Sequence, residues 1–299
     1  MPRRYPPGRR RRHRLWLPAL LLVLPGCATG QGTTSPAGAG ATSQPRTPAV
    51  RTDTTSLRRT LDSLAAAHRG IVGYTVHNLE TGEYLSRRGD EPFPTASLIK
   101  VPILVALYDL VENGDISLDD PLTVLRIDQV PGAGVLQHLH PGMIVTVRDA
   151  AWLMSTISDN TATNLLLDRI VIRRVWEKME ALGLPRTKVH SKTFLRISSV
   201  AMDSSVKYGL GVTTPNEMAR LFQLLARGQA VSPRADSAML HILEHNSDHQ
   251  LLQRFARGVR AAHKTGATDA VRTECSLFYL RSRVVACVLT RENADQRWV

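Results

Sequence analysis

Ser97 and Lys100 stand three residues apart in "PTASLIKVP", Pro94 to Pro102, where an apolar run begins. If a helix starts at or just before Ser97, positions i and i+3 share a face, and the amine can approach the hydroxyl. A serine is a weak nucleophile at neutral pH and needs a neighbouring base to take its proton. A lysine serves as that base only when burial or nearby positive charge holds it deprotonated. Pro102 falls near the first turn, where a missing N–H costs least. The same pair also fits a capping serine followed by a solvated lysine. A second group, "STISDNTATN", places Ser158, Asp159 and Asn160 between two helical runs. A hydroxyl and an amide there can point into a cleft, or Asp159 and Asn160 can satisfy the orphan N–H groups of the next helix. In the third, "HKTGATDAV", Lys264 attracts a carboxylate and Gly266 lets a substrate come close to the backbone. A strand edge with a solvated lysine is its ordinary alternative.

Taken in this order, the three groups resemble the class A β-lactamase family of the serine β-lactamase and penicillin-binding superfamily. The stretches "FPTASLIKVPILVALY", "LMSTISDNTATNLLLD", "GVTTPNEMARLF" and "HKTG" carry the resemblance, which covers roughly Leu57 to the C-terminus. The resemblance implies Ser97 as the acylated nucleophile and Lys100 as its base or part of a proton relay. It implies Ser158 as the donor to the leaving lactam nitrogen, and Asn160 as the holder of Lys100 and of the substrate's amide side chain. Lys264 and Thr265, followed by Gly266, would bind the substrate carboxylate, with Arg272 as a further contact. The N–H groups of Ser97 and Ala267 would form the oxyanion hole, and Asp159 would brace its loop. The implied partner is a small-molecule β-lactam or a peptidoglycan peptide, with no cofactor and no metal.

Two departures from the family stand out. Class A enzymes carry a glutamate after the Ser-Asp-Asn group that activates the deacylating water. The matching stretch here, Pro185 to Thr214, has no glutamate, and Asp203 is its only acid. Acylation is therefore better supported than turnover, and a D-alanyl-D-alanine peptidase-like cell-wall enzyme or a slow-turnover β-lactam sensor is the alternative. The family also closes its sheet with a C-terminal helix, whereas "NADQRWV" follows directly on the last strand-like run. Either the sequence is truncated or the first helix covers that face alone, and a missing helix would expose apolar sheet surface.

The elements that must position these groups can be read from periodicity. Leu57, Leu61, Leu64 and Ala65 mark a first helix that Gly70 stops. "IVGYTVHNLETGEYLSRRGD" reads as strand, turn and strand, with "ETGE" at the bend. Helical patterns fill Ser97 to about Arg227, and strand-like text returns from His263 to Thr290. The expected fold class is α+β: an antiparallel β-sheet flanked by helices, built from both chain ends, with an inserted all-helical subdomain. The sheet part would span about 53–96 and 228–299, and the helical part about 97–227.

Charge and composition bound the remainder. The net charge of +12 is uneven, because seven arginines lie within residues 1–27, which contain no acid. Past Cys27, 31 Lys and Arg face 26 Asp and Glu, so no nucleic-acid partner is expected. The basic start and the short apolar run "LWLPALLLVLPG" read as an export signal, too short for a membrane span. "LPGCATG" resembles a lipoprotein processing site, which makes Cys27 the lipidated residue; cleavage near Ala28 as a plain secretory signal is the alternative. Residues 28–52 read as a flexible tether to a catalytic domain over 53–299. The expected product is an exported monomer in the bacterial cell envelope, lipid-anchored to a membrane and facing the periplasm or exterior. Cys275 and Cys287 flank "RSR" in a β-hairpin pattern, and they either pair or stay as two buried thiols. "HILEH", His241 to His245, matches a His-x-x-Glu-His zinc pattern with His249 as a third imidazole. "NSDHQ" after it reads as a helix end, which argues against a zinc site. "QHLH", with His138 and His140, reads as a loop near the cleft mouth.

Overall fold

A computed structural model of the protein describes residues 54–294. The export segment with Cys27, and the tether to residue 52, lie outside the described residues. In chain order the helices are α1 (Thr54–Ala67), α2 (Lys100–Glu112), α3 (Val147–Thr156), α4 (Asn160–Ile170), α5 (Ile172–Ala181), α6 (Met202–Tyr208), α7 (Pro215–Ala226), α8 (Pro233–Glu244) and α9 (Leu252–Phe255). The strands are β1 (Ile71–Asn78), β2 (Tyr84–Arg87), β3 (Phe93–Pro94), β4 (Pro121–Thr123), β5 (Ile144–Thr146), β6 (Lys188–Val189), β7 (Gly211–Thr213), β8 (Ala261–Ala267), β9 (Arg272–Tyr279) and β10 (Arg283–Arg291).

β1 and β2 from one chain end join β8, β9 and β10 from the other in a five-stranded antiparallel sheet, ordered β2-β1-β10-β9-β8. This is the α+β layer expected from the two strand-rich ends. The β9–β10 register sets Cys275 directly opposite Cys287, with Cα atoms 4.0 Å apart, and the two are joined as a disulfide. That resolves the choice between a bridge and two thiols: the close Cα spacing of directly opposed residues puts the sulfurs within bonding reach.

α2 is the central helix. Its first nine residues, Lys100 to Tyr108, are all buried, as a helix apolar on every side must be. It packs against α3, α4, α5 and α8, so the nucleophile region is anchored to the middle of the core. α3 begins with a capping box in which Thr146 accepts from the Asp149 N–H and Asp149 accepts from the Thr146 N–H. α7 and α8 begin with Thr214-Pro215 and Ser232-Pro233, each hydroxyl capping the third helical N–H.

The structure redraws two expectations. The long helical pattern from Asn160 to Gly183 breaks at Val171, whose φ of 66° splits it into α4 and α5. α7 falls inside the span assigned to the helical part, yet it packs on β1, β9 and β10 and so belongs to the sheet layer. α1 lies on β1 and β2, tied by Tyr74 and Arg87 to Asp62, but none of its residues is buried. Leu57 and Leu64 remain exposed. Two small sheets complete the architecture: β3-β7-β6 beside the nucleophile turn, and the β4-β5 ribbon ahead of α3.

Candidate active site

Ser97 sits in a single 3-10 turn, Ala96–Ile99, that leads into α2. Ala96 holds φ at 45°, a left-handed conformation that a residue with a Cβ adopts only under constraint from its surroundings. The constraint is β8. A Cβ on Gly266 would lie 2.4 Å from the Thr95 carbonyl oxygen, 2.6 Å from Thr273 Oγ1 and 2.8 Å from the Leu98 nitrogen. The sequence reading gave Gly266 to substrate approach. Instead it allows the strand to pass directly against the turn that carries Ser97. Thr273 Oγ1 donates to the Thr95 carbonyl at 2.8 Å and ties the two together.

Lys100 opens α2 and is almost fully buried. Its Nζ donates to the Ser158 carbonyl at 2.7 Å, to Asn160 Oδ1 at 2.8 Å and to Ser158 Oγ at 3.2 Å. Burial, and secondly the positive charge of Lys264, push its pKa well below the ordinary lysine value; Asp159 opposes them. Lys264, equally buried, donates to Ser158 Oγ at 3.2 Å and to the Thr265 carbonyl at 2.9 Å. Burial lowers its pKa to about 8 against the pull of Asp248 and Glu274. Ser158 Oγ thus accepts from both amines, which leaves its own hydrogen for a third group.

The Ser-Asp-Asn loop is built to hold that hydroxyl. Ser158 has φ of 58°. Asp159 caps α4 through Ala162 N–H at 2.9 Å, and its second oxygen accepts from Val135 N–H at 2.7 Å and Leu136 N–H at 2.9 Å. Gly134 makes this possible: at φ of 103°, a Cβ there would fall 2.2 Å from the Asp159 carboxyl carbon. Asp159 is therefore the brace the motif suggested. Asn160 donates its amide to the Pro131 carbonyl at 3.0 Å while its oxygen receives Lys100.

A groove of about 610 Å³ is lined by Ser97, Asn160 and Ala267, while Lys100, Ser158 and Lys264 do not line it and reach its edge through Asn160, which accepts from Lys100. Thr265 does not line it: its hydroxyl donates to Asp248 at 2.6 Å, away from the groove. Arg272 donates to the carbonyls of Thr268 and Val271 at the hairpin mouth. No carboxylate lines the groove among the described residues, whereas Lys192, Arg196 and Lys207 do. Asp203 lies exposed in the first turn of α6 and is not part of the lining.

Two residues of the site were not picked out from the sequence. Asn164 receives Thr193 N–H at 2.8 Å and donates to the Thr193 carbonyl at 3.1 Å. This pins Thr193 into the groove wall, with its Oγ1 buried and unpartnered. Asn164 lies four residues beyond Asn160, on the same helix face, and that spacing was the available signal.

The histidines of the zinc pattern are placed elsewhere. α8 ends at Glu244, whose carboxylate is held by Arg260, and no set of three metal-ligating side chains is gathered among the described residues. His138 and His140 do not line the groove.

A sheet built from both chain ends carries a buried helix led by a serine turn, beside a hydroxyl shared by two lysines. A model of the β-lactamase enzyme family matches residues 56–297, and the chain belongs to that family. It is a hydrolase of that type. The β-lactamase CARB-4 of Pseudomonas aeruginosa is 24% identical over 213 residues, 70% of either chain. Among solved structures, the β-lactamase of Sphaerobacter thermophilus DSM 20745 is 31% identical with a TM-score of 0.74, covering 81% of this chain and 91% of its own. PBP-A is 30% identical with a TM-score of 0.72, covering 81% and 90%. A single-site variant of PBP-A was solved as an acyl-enzyme complex with penicillin G.

Proposed function

We propose that the protein is a serine hydrolase acylated at Ser97 by a β-lactam, with deacylation as its slow step. The observation that carries this is the Lys100–Ser158–Lys264 cluster, joined through Asn160 to the groove that Ser97 lines. Burial and the charge of Lys264 push the Lys100 pKa well below the ordinary lysine value, and its deprotonated form takes the Ser97 proton as Oγ attacks the lactam carbonyl. The developing oxyanion is met by the N–H groups of Ser97 and Ala267, a pair in which one donor is worth about 3–4 kcal/mol. Ser158 Oγ hands its proton to the departing nitrogen and is resupplied from the amines on either side. Lys264, protonated in most molecules below its pKa of about 8, attracts the substrate carboxylate.

The second half-reaction lacks a dedicated base, since no carboxylate lines the groove among the described residues. Water activation falls to the same amines and hydroxyls, so the acyl-serine outlives its formation. This favours long occupancy over high turnover and keeps the reading of a wall-peptide hydrolase or antibiotic sensor in play. Export and anchoring through Cys27 belong to the same proposal and place the domain in the cell envelope.

Incubation with a fluorescent penicillin followed by intact-mass measurement tests it. One adduct per chain on the wild type, and none on Ser97→Ala, is expected. A wild type without adduct, or an adduct on Ser97→Ala, refutes the assignment. Nitrocefin turnover then separates a lactamase from a one-equivalent binder.

A further inference from the structure

A second cavity, of about 690 Å³, takes Ala261 and His263 from the first half of β8 and shares no lining residue with the groove that Ser97 lines, which meets the strand at its other end, Ala267. Its volume falls in the range of sites for small organic molecules, roughly 300–1,000 Å³, rather than that of a single ion. Arg254, Arg257, Arg260, His245, His249 and His263 line it, with Glu244 as its one carboxylate. Glu244 is already spent on Arg260, which it meets with both oxygens at 2.8 and 3.0 Å. Arg260 also covers the Tyr279 ring at 4.2 Å, and Arg254 covers the Phe255 ring at 4.6 Å. The cavity wall therefore keeps a surplus of guanidinium charge.

Two buried polar groups in the same wall have no hydrogen-bond partner: Gln253 Nε2 and His263 Nδ1. A buried donor without an acceptor costs about 1–3 kcal/mol, so its persistence needs a reason. His263 Nδ1 faces the buried Glu274 carboxylate at 3.4 Å, which also accepts from Leu252 N–H at 2.6 Å and Ser276 Oγ at 2.7 Å, so Gln253 Nε2 is the group of this wall with no acceptor near it. Gln253 Nε2 can only donate, and guanidinium forks bind oxyanions in two-pronged fashion.

We infer that this cavity is a binding site for a small organic polyanion carrying phosphate or carboxylate groups. Arg254 and Arg257 meet its charge, and Gln253 supplies a neutral donor. The site is separate from the acylation groove but not remote from it. His263 precedes Lys264 in β8, and Asp248, which holds Thr265, comes from the loop that also supplies His249.

Isothermal titration of the protein with fructose 1,6-bisphosphate and, separately, with citrate in low salt provides the test, the two probes distinguishing phosphate from carboxylate. Saturable one-to-one binding by at least one of them is expected, unchanged by acylation of Ser97. The double variant Arg254→Gln/Arg257→Gln should weaken it at least tenfold while penicillin acylation and circular dichroism stay as in the wild type. Absence of saturable binding by both probes overturns the inference. So does equal affinity in the double variant, and so does loss of binding on acylation of Ser97, which would place the probe in the catalytic groove.

Discussion

Replacing Gly266 with alanine should disable acylation without touching a single reacting group. The added methyl would meet the Thr95 carbonyl at 2.4 Å and the Leu98 nitrogen at 2.8 Å, the backbone on either side of Ser97. Both neighbours are main-chain atoms, so no side-chain rotation relieves the overlap. Restoring ordinary contact requires β8 and the serine turn to part by about 1 Å, and a misplacement of that size costs roughly 10²-fold in rate. The same overpacking costs about 1–3 kcal/mol of stability. Over a domain of this size that lowers Tm by roughly 2–12 °C, which leaves the protein folded at 25 °C. The assay is the second-order rate of labelling by a fluorescent penicillin, with Tm measured on the same preparation. Labelling within about threefold of wild type would show that the close passage of β8 does not set the position of Ser97.

Further outcomes follow from the same geometry. Ser158→Ala removes the hydroxyl shared by the two amines and should slow acylation by about 10²–10⁴-fold, measured by the same labelling, with far-UV circular dichroism unchanged. Thr193→Glu inserts a carboxylate at the groove wall, where Asn164 already fixes the backbone, and should shorten the acyl adduct's lifetime at least tenfold in time-resolved intact mass. Lys264 titrates near 8 when folded but near 10.5 when unfolded. The unfolded chain thus holds more protons across that window, so this residue's contribution to stability increases as pH rises from 8 to 10.5. Affinity for carboxylate-bearing β-lactams should fall over the same rise, so KM climbing while Tm holds separates lost charge from unfolding. Reducing the Cys275–Cys287 bridge, which closes a loop of sequence separation 12, should cost roughly 3 kcal/mol in denaturant melts of the intact domain.

Much of this site could be read from text because its parts are local. Ser97 and Lys100 share one turn, Ser158 and Asn160 one loop, and Lys264 and Gly266 one strand; each group alone had an ordinary alternative, and their order carried the family resemblance. What escaped was what the chain does between groups. Gly266 looked like room for a ligand because nothing in the sequence says that β8 crosses the serine turn. Thr265 alternates with Lys264 along the strand, and its hydroxyl is claimed by Asp248, a residue 17 positions away. The α4–α5 break had no glycine or proline to mark it, since a valine takes the left-handed conformation there. The disulfide needed a register that two apolar runs cannot specify by themselves.

Among the described residues the hydroxyl at Ser158 is the side-chain atom that accepts from both amines, and this makes the two lysines one instrument rather than two. The positive charge on Lys264 makes a proton on Lys100 harder to hold. Knockouts of the two lysines will for that reason not sum: once either is gone, the other has lost most of what it does, and removing both will look scarcely worse than removing one.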